Sequence, residues 1–518
     1  MPYKDNLIIF FLALALSVGI ASSQTTSGYM DADYYYATGI QLAEGRGFTE
    51  PFLWNYLDDP TGLPHPSHAY WMPLASILSA LGMSLARNID FASAQGAFIL
   101  LAALIPPITA SLAYFLTSRR DLALTSALFA LFSGYYAPPL TTTDTFSIYI
   151  LLGGLFFLTL KIRRIWLKSI VLGIIAALMY LARADGAIWL IFAVLALIMQ
   201  YYALRKALLS SLVFFFLSYF FFIVPWLLRN YLTFGSPFAL GGGQMLWLTD
   251  YNQIFAYPAG NLSMDTWLAS GWYEVIKVRL WAFKLNFGTV LGVQGGIFLL
   301  PFIILGAWKL RKNLVVRIGV FAWIVTFFVM TIIFPFAGAR GGFLHSGSAL
   351  QPLWWALAPI GLTRVIAWLV KRYKWKPESL KAISVILVAI SLLMTGAIMW
   401  MRVLSPMART RAQNKGVPLY ISIEESLLAQ KNPTKSAAVI TANPPGYYLA
   451  SHRYAIALPD GDIEGIFALA ERYNAEFLIL EEGAVTEGLM PIFDAPTEWG
   501  NLALLAEIKG AKIFVVEK

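Results

Sequence analysis

Four short polar motifs flank or interrupt the long apolar segments of this 518-residue chain. A charged side chain within a bilayer costs about 2.5–3.5 kcal/mol on insertion scales, so such residues usually face a cavity in the protein. Carboxylates can act as general bases or bind a divalent cation, and arginine binds phosphate oxygens bidentately. The four motifs contain, in chain order, Asp31 and Asp33, then Asp144, then Arg183 and Asp185, then Arg340 and His345.

The acidic motifs also have structural interpretations. In a helix, Asp31 and Asp33 would point about 200° apart, so they could share one cation only in an extended turn. Otherwise they are ordinary acids of an outer loop. Asp144 could complement the dipole of a following helix, which Thr142 or Thr143 would cap.

The basic motifs have alternatives as well. Arg183 and Asp185 could form a local ion pair, and Arg340 could simply extend to the aqueous boundary. However, Arg340 is followed by two glycines, and an arginine in such a turn suits a phosphate or pyrophosphate. His65, in the sequence His-Pro-Ser-His, is a metal ligand or a plain hydrogen-bonding residue. All four motifs map to the same side of the predicted bundle, which favours a functional interpretation.

Most of the chain is predicted to lie in a membrane. Hydrophobic residues make up 58% of it and charged residues only 13%, against roughly 25% charged in soluble domains. Because a span needs about 20 apolar residues, we predict an α-helical polytopic bundle of about eleven spans. The stretch 70–86 is short, contains Pro73, and is predicted to be an interfacial helix. The spans lie near 6–23, 91–117, 121–137, 145–161, 168–183, 186–204, 207–228, 288–308, 314–337, 350–370 and 380–401.

The charge distribution orients this bundle. With a cytoplasmic N-terminus, the inner segments hold eighteen basic residues and three acids, whereas the outer loop 24–90 holds seven acids and two arginines. The positive-inside rule therefore explains the net charge of +9 without a nucleic-acid partner. Residues 6–23 are predicted to be a retained span, with a cleaved signal peptide as the alternative. The absence of cysteine excludes disulfides, thiol catalysis and Cys-ligated metals.

Two domains are predicted. A transmembrane domain covers 1–402 with outer loops 24–90 and 229–287, and a small extracytoplasmic α/β domain covers 403–518. In the second, strand-like runs at 437–441, 476–481 and 511–517 alternate with a helical run at 462–475. No phosphate-binding loop or catalytic triad is visible there, so we interpret it as a support or acceptor-recognition module.

The motifs and topology resemble the polytopic GT-C fold glycosyltransferases, in particular the protein mannosyltransferase and aminoarabinose transferase branch. Asp31-Ala32-Asp33-Tyr34-Tyr35 after the first span is similar to that family's acidic motif, and Gly45 follows at the family's spacing. Ala32 departs from the pattern, because the family often has glutamate there. The segments Pro64-His65-Pro66, Asp144 and Pro225–Asn230 also resemble recurrent family features, and the resemblance covers roughly 25–370.

This resemblance implies a cell-envelope enzyme that transfers a sugar from a polyprenyl-phosphate donor to a glycan, lipid or protein acceptor at the extracytoplasmic face. Asp31 would be the general base. Asp33 and Asp144 would orient the acceptor, or Asp31 and Asp33 would hold a divalent cation such as Mg²⁺ or Mn²⁺. Arg340, with His345 and Arg183, would stabilise the phosphate leaving group. The remaining expected substrate-binding residues are Asp185, His65, Tyr34 and Tyr35.

A transporter or lipid flippase is the main alternative. Transporters usually show an internal repeat, broken helices and polar residues near the bilayer midplane. No repeat is apparent in this sequence, and its polar motifs cluster at one face. A non-catalytic scaffold is a third possibility, but the concentration of outer-face charges argues against it.

Overall fold

The computed structural model describes residues 1–238, 240–260, 262–376, 378–430, 437–497 and 499–517. In these ranges, eight helical segments are long and apolar enough to cross a membrane. They are Tyr3–Ala21, Phe91–Thr117, Ile165–Ala182, Ala184–Tyr201, Arg205–Phe234, Leu314–Ile333, Gln351–Tyr373 and the first part of the helical stretch Ser379–Gln430, which begins with Ser379–Met399.

The predicted count of eleven spans is not confirmed. The other three predicted spans correspond to the helices Arg120–Leu131, Phe146–Thr159 and Leu300–Lys309, which have 12, 14 and 10 residues. An ideal crossing needs about 20 residues, so composition alone overestimated the length of regular helix in these segments. The predicted interfacial helix corresponds to the helix Leu74–Ala86.

Small residues allow the shorter helices to pack closely. A Cβ atom added at Gly361, on Gln351–Tyr373, would lie 1.8 Å from the carbonyl oxygen of Phe302 on Leu300–Lys309. A Cβ atom at Gly306 would lie 2.2 Å from the carbonyl oxygen of Leu357. Contacts between apolar helices depend on such close backbone approach where lipid is the surrounding solvent.

The two loops 24–90 and 229–287, which keep the name outer loops from the predicted topology, carry their own short elements. The first contains the site helix, Met30–Ala43, which follows the first long helix. The second contains the short helices Leu240–Gln244, Met245–Trp247, Tyr251–Phe255 and Met264–Ala269, followed by the longer Gly271–Thr289. A π-helical turn, Gly338–Gly342, follows Pro335–Ala337 and precedes the helix Phe343–Ser348.

Eight strands are described. They are β1 (Thr49–Glu50), β2 (Phe52–Leu53), β3 (His65–Pro66), β4 (Ala438–Thr441), β5 (Ala455–Ala457), β6 (Ala475–Glu481), β7 (Leu502–Ile508) and β8 (Ala511–Val516). β1 and β3 form an antiparallel pair, and the others form one sheet in the order β2-β5-β4-β6-β8-β7. Helices Pro406–Gln413, Val417–Gln430, Pro444–Ser451, Ile463–Tyr473 and Met490–Asp494 accompany this sheet.

The sheet extends beyond the predicted C-terminal segment. β2 belongs to the first outer loop and pairs in parallel with β5, with Phe52 opposite Ala455 and Leu53 opposite Ile456. The hydroxyl of Tyr56 also donates to the carbonyl oxygen of Ala457. β4, β5 and β6 are buried almost throughout, as expected for parallel strands covered on both faces. The first outer loop and the C-terminal sheet are therefore continuous in structure.

Candidate active site

Asp31, Asp144 and His345 form a cluster at the junction of the site helix and the bundle. Each offers one ligand atom, and these atoms lie within 4.8 Å of one another. Asp144 and His345 are buried, whereas Asp31 is partly exposed. Asp31 comes from the first turn of the site helix, Asp144 precedes the helix Phe146–Thr159, and His345 lies on Phe343–Ser348. The sequence placed these residues on one side of the bundle, and the structure brings them together.

Several hydrogen bonds fix Asp144. One carboxylate oxygen accepts from the hydroxyl of Tyr29 at 2.6 Å, and the other accepts from the backbone N–H and the hydroxyl of Thr145. The hydroxyl of Thr143 donates to the carbonyl oxygen of Ala32 at 2.8 Å, which ties this turn to the site helix. Burial opposes ionisation of Asp144, but His345 and the hydrogen bonds outweigh it, so the pKa of this carboxyl lies below its usual range.

Asp31 differs from Asp144 in its electrostatic environment. Burial raises the pKa of Asp31, and the negative charge of the neighbouring Asp144 raises it further. A carboxyl group with a raised pKa is a better proton acceptor than an ordinary aspartate once it is ionised. Two carboxyl groups with opposite pKa shifts therefore adjoin each other, an arrangement typical of catalytic sites.

The orientation of His345 limits what can lie between this residue and Asp144. Nδ1 of His345 lies 2.9 Å from the carbonyl oxygen of Gly341, which can only accept, so Nδ1 carries the proton. Nε2 of a neutral ring then presents its lone pair to a carboxylate oxygen of Asp144 at 3.2 Å. Two facing lone pairs repel, so a proton or a metal ion must lie between them. A histidine oriented through its other nitrogen is also the usual arrangement of a metal ligand.

The turn Gly338–Gly342 positions both His345 and Arg340. Gly341 has φ +115°, a conformation that side chains rarely adopt, and its carbonyl oxygen orients His345. The guanidinium of exposed Arg340 lies over the ring of Tyr251 in the second outer loop, 4.1 Å from the ring centroid. Burial and Asp31 raise the pKa of Tyr251 to about 12, while Arg340 lowers it. Tyr251 therefore lies within electrostatic reach of both Asp31 and Arg340.

Arg183 and Asp185 form the ion pair that the sequence offered as an alternative, with Nε of Arg183 2.9 Å from Asp185. Asp185 also accepts from Ser346 at 2.6 Å, and Ser346 follows His345 in the chain. This connects the turn after the helix Ile165–Ala182 to the cluster. The ion pair therefore supports the helix Phe343–Ser348, which carries His345. Contact of Arg183 or Asp185 with a substrate stays a prediction.

Asp33 does not join Asp31. Because residues 30–43 form a helix, the two side chains point in different directions, and Asp33 accepts hydrogen bonds from Ser27 and Asn443 instead. Burial raises the pKa of Asp33 to about 6, although these two hydrogen bonds favour its ionised form. The predicted cation site at Asp31 and Asp33 requires an extended turn, whereas the structure has a helix there. Asp31 lies instead beside Asp144 and His345.

Tyr34 and Tyr35 are buried at 1% and 3% exposure, so neither presents a free surface to a substrate. The hydroxyl of Tyr34 donates to Glu50 at 2.6 Å and accepts from the backbone N–H of His68. Three residues around the cluster have no role in the sequence-based hypothesis: Tyr29, Tyr251 and Ser346. A fourth, Thr143, was a candidate helix cap, but its hydroxyl donates to the carbonyl oxygen of Ala32 instead. A hydroxyl group in an outer loop gives no distinctive sequence signal, so only the fold identifies them.

His65 is held between two acids rather than beside Asp31. Its Nε2 lies 3.2 Å from Asp58 and its Nδ1 lies 3.7 Å from Glu50, across the β1–β3 pair. Burial would lower the pKa of His65, but Asp58 and Glu50 outweigh it and raise this pKa to about 9. This geometry supports a structural role.

A pH dependence of stability follows from His65. A histidine whose folded pKa exceeds its unfolded value, near 6.5, stabilises fully below pH 6.5 and loses this contribution as pH rises through about 9. The contribution is at most about 3 kcal/mol. We expect the apparent unfolding temperature of the detergent-solubilised protein to fall over this range, and to fall less in His65→Gln. Equal slopes for the two proteins would refute the ion-pair assignment.

The fold of this chain is similar to that of solved membrane glycosyltransferases with the GT-C fold. The sequence matches no protein-family model and no curated protein. Solved structures confirm the fold that the sequence motifs predicted. Their sequence identities to this chain are low, so the similarity establishes the fold and not the function.

One similar structure is that of ArnT from Cupriavidus metallidurans bound to undecaprenyl phosphate. It has a TM-score of 0.58 and 11% identity, and the match covers 99% of this chain and 98% of that one. Another is the oligosaccharyltransferase AglB from Archaeoglobus fulgidus, in complex with an inhibitory peptide and a dolichol-phosphate. It has a TM-score of 0.55 and 15% identity, and the match covers 92% of this chain and 70% of that one. A third structure, of the same archaeal enzyme with Zn and sulfate, has a TM-score of 0.55.

Proposed function

We propose that this chain is an integral membrane glycosyltransferase that moves a sugar from a polyprenyl-phosphate donor to an acceptor at the extracytoplasmic face. The observation that carries the proposal is the cluster of Asp31, Asp144 and His345 within 4.8 Å of one another. The predicted topology places this cluster at the outer boundary of the membrane. A lipid-linked donor reaches its site laterally from the bilayer, so a site at this boundary suits it. The polyprenyl phosphates bound by ArnT and AglB support the same donor class.

In the proposed reaction, a hydroxyl oxygen of the acceptor attacks the anomeric carbon of the donor sugar. The bond between this carbon and the phosphate oxygen breaks, and the polyprenyl phosphate leaves with the bonding electrons. Ionised Asp31 takes the hydroxyl proton as the new bond forms. Arg340 is proposed to stabilise the negative charge that develops on the phosphate, and its contact with Tyr251, which lies within electrostatic reach of Asp31, supports this role.

Asp31, Asp144 and His345 also fit a divalent cation, since two carboxylates and one imidazole are suitable ligands and Nε2 of His345 has its lone pair available. When bound, such a cation would supply a positive charge that screens the phosphate. Independently of it, Tyr29 and Thr145 hold Asp144 in place, and Gly341 holds His345.

The proposal is tested by supplying the purified protein, in vesicles, with undecaprenyl-phosphate-linked radiolabelled sugars and total envelope lipids, glycans and proteins as acceptors. We expect label to enter an acceptor and undecaprenyl phosphate to be released. Movement of intact donor across the vesicle without release would instead support a flippase. Neither release nor transfer with any of the donor sugars, by a folded protein, would contradict the proposal.

Arg340 provides a sharper prediction. Arg340→Ala is expected to lower turnover by about 10²–10³-fold, because it removes a positive charge from the leaving group. Arg340→Lys retains the positive charge but lacks the planar guanidinium, so its turnover should lie between that of the unsubstituted protein and that of Arg340→Ala. Arg46→Ala, which removes an exposed arginine of the first outer loop, serves as the control. Equal turnover of Arg340→Ala and the control would exclude Arg340 from the reaction.

A further inference from the structure

Asp33 lies on the site helix two residues after Asp31, and its buried carboxylate is held by two different parts of the chain. One oxygen accepts from the hydroxyl of Ser27, just before the site helix. The other accepts from Nδ2 of Asn443 at 2.7 Å, 410 residues further along the chain. Asp33 is 2% exposed, so no solvent replaces a partner that is lost.

Asn443 is the N-cap of the helix Pro444–Ser451, and the first turn of this helix is shaped to receive the carboxylate. The backbone N–H of Gly446 donates to Oδ1 of Asn443 at 3.2 Å, which directs Nδ2 towards Asp33. A Cβ atom at Gly446 would lie 2.9 Å from Oδ2 of Asp33 and 2.5 Å from Nδ2 of Asn443. Real Cβ atoms essentially never come within 3.0 Å of such atoms, so only glycine permits this approach.

A second contact lies further along the same two helices. Nε2 of Gln41, near the end of the site helix, donates to the hydroxyl of Tyr448 on Pro444–Ser451 at 2.8 Å, and both residues are buried. Asp33 and Gln41 are eight residues apart, which is about 12 Å along a helix. Two attachments at this separation resist both tilting and rotation of the site helix.

Rotation of the site helix would displace Asp31. Side chains two apart on a helix point about 200° from each other, so a movement of Asp33 away from Asn443 turns Asp31 relative to Asp144 and His345. From the bundle side, the N-terminal end of the site helix is held by the bond from Thr143 to the carbonyl oxygen of Ala32 and by the bond from the Tyr29 hydroxyl to Asp144, whereas Asn443 holds Asp33 from the C-terminal segment. The C-terminal segment is therefore placed to set the orientation of Asp31.

We infer that Asn443 and Gly446 are positioning residues: the turn 443–446 clamps the carboxylate of Asp33 and thereby fixes the orientation of Asp31 towards Asp144 and His345. The catalytic consequence rests on the proposed function, whereas the clamp itself does not. The C-terminal segment is thus part of the catalytic architecture rather than a separate module.

Because the chain contains no cysteine, the effect of the clamp on position 31 can be measured by thiol labelling, independently of sugar transfer. Asp31→Cys provides a single thiol at the position that the clamp orients, and its reaction rate with a maleimide reports its surroundings. We expect Asn443→Ala to change this rate at least about threefold. Tyr447→Phe is the matched control, since it also removes one buried hydrogen bond of the helix Pro444–Ser451, but that bond goes to Glu424 within the C-terminal segment.

An exchange of the two side chains tests the pair directly. With Asp33→Asn and Asn443→Asp together, the amide at 33 can still accept from Ser27 and donate to the carboxylate at 443, which can still accept from Gly446. We expect this double variant to restore the labelling rate of Asp31→Cys to the value seen with Asp33 and Asn443 intact. Asn443→Asp alone brings two carboxylates together, so its labelling rate should differ from that value more than the rate of Asn443→Ala does. Gly446→Ala should resemble Asn443→Ala.

With Asp31 intact, Asn443→Ala and Gly446→Ala should lower kcat about tenfold while leaving the donor KM nearly unchanged, and the exchange of residues 33 and 443 should recover kcat.

An unchanged labelling rate in Asn443→Ala, or a changed rate that the exchange does not restore, overturns the clamp. If Asn443→Ala does not fold, the exchange decides: a folded double variant with the original labelling rate supports the clamp, and an unfolded one overturns it. A clamp seen by labelling in a protein that transfers no sugar would refute the proposed function alone.

Discussion

Replacing Asp31 with asparagine is expected to lower sugar transfer by about 10²–10⁴-fold, the range usual for loss of a general base. Asparagine has nearly the same shape as aspartate but cannot accept the proton of the attacking hydroxyl. Asp31 is the partly exposed acid of the cluster, so it is the one that an acceptor can reach. Asp144, in contrast, is buried and already accepts hydrogen bonds from Tyr29 and Thr145.

Turnover of Asp31→Asn should be compared with binding of undecaprenyl phosphate to the same protein, measured by native mass spectrometry. Binding should persist, because the role proposed for Asp31 is to take a proton from the acceptor and not to bind the lipid. Asp265→Asn, which changes an exposed acid of the second outer loop, is the matched control. Near-normal turnover in Asp31→Asn would show that another group takes the proton.

Replacing His345 with glutamine is expected to weaken the binding of Mn²⁺ by at least about tenfold, because it removes one of three candidate ligands. The lost ligand atom is Nε2, whose lone pair is oriented by the contact of Nδ1 with the carbonyl oxygen of Gly341. Asp144→Asn should have a similar effect. His452→Gln, at an exposed histidine of the C-terminal segment, should leave binding unchanged. Mn²⁺ is a suitable probe because its electron paramagnetic resonance spectrum distinguishes bound from free ion.

The contrary result has a clear structural meaning. If the unsubstituted protein binds neither Mn²⁺ nor Zn²⁺, the cation between His345 and Asp144 is a proton, and the two residues form a buried ion pair. His345→Gln should then destabilise the protein by about 3–5 kcal/mol, since it leaves the Asp144 charge uncompensated. The two outcomes are therefore separated by cation binding and by unfolding measurements on the same variant.

The sequence predicted that the four polar motifs share one side of the bundle, because charges near a membrane are few and costly, and the structure brings Asp31, Asp144 and His345 together. Asp144 and Arg340 stood out for this reason, and so did Asp31, whose motif follows the first span. What the sequence left open was the local conformation after that span. An extended turn would have joined Asp31 to Asp33, whereas the helix directs Asp33 towards Asn443.

Contacts between distant segments account for most of what the sequence did not reveal. β2 has only two residues, too few for a recognisable strand pattern, and its partner β5 lies about 400 residues away in the chain. The bond between Asp33 and Asn443 spans a similar distance. Hydrophobic periodicity reports local structure, so it predicted β4, β6, β8 and the helix Ile463–Tyr473. It predicted neither β5 and β7 nor the attachment of the C-terminal segment to the first outer loop.

A structure of the protein determined in the presence of undecaprenyl phosphate would decide whether the cluster is the site of transfer. We expect the phosphate to lie within hydrogen-bonding distance of Arg340 and beside the cluster of Asp31, Asp144 and His345, with the lipid chain extending into the bilayer. A phosphate bound elsewhere on the bundle, with Arg340 still over Tyr251 and the cluster free of lipid, would contradict this expectation.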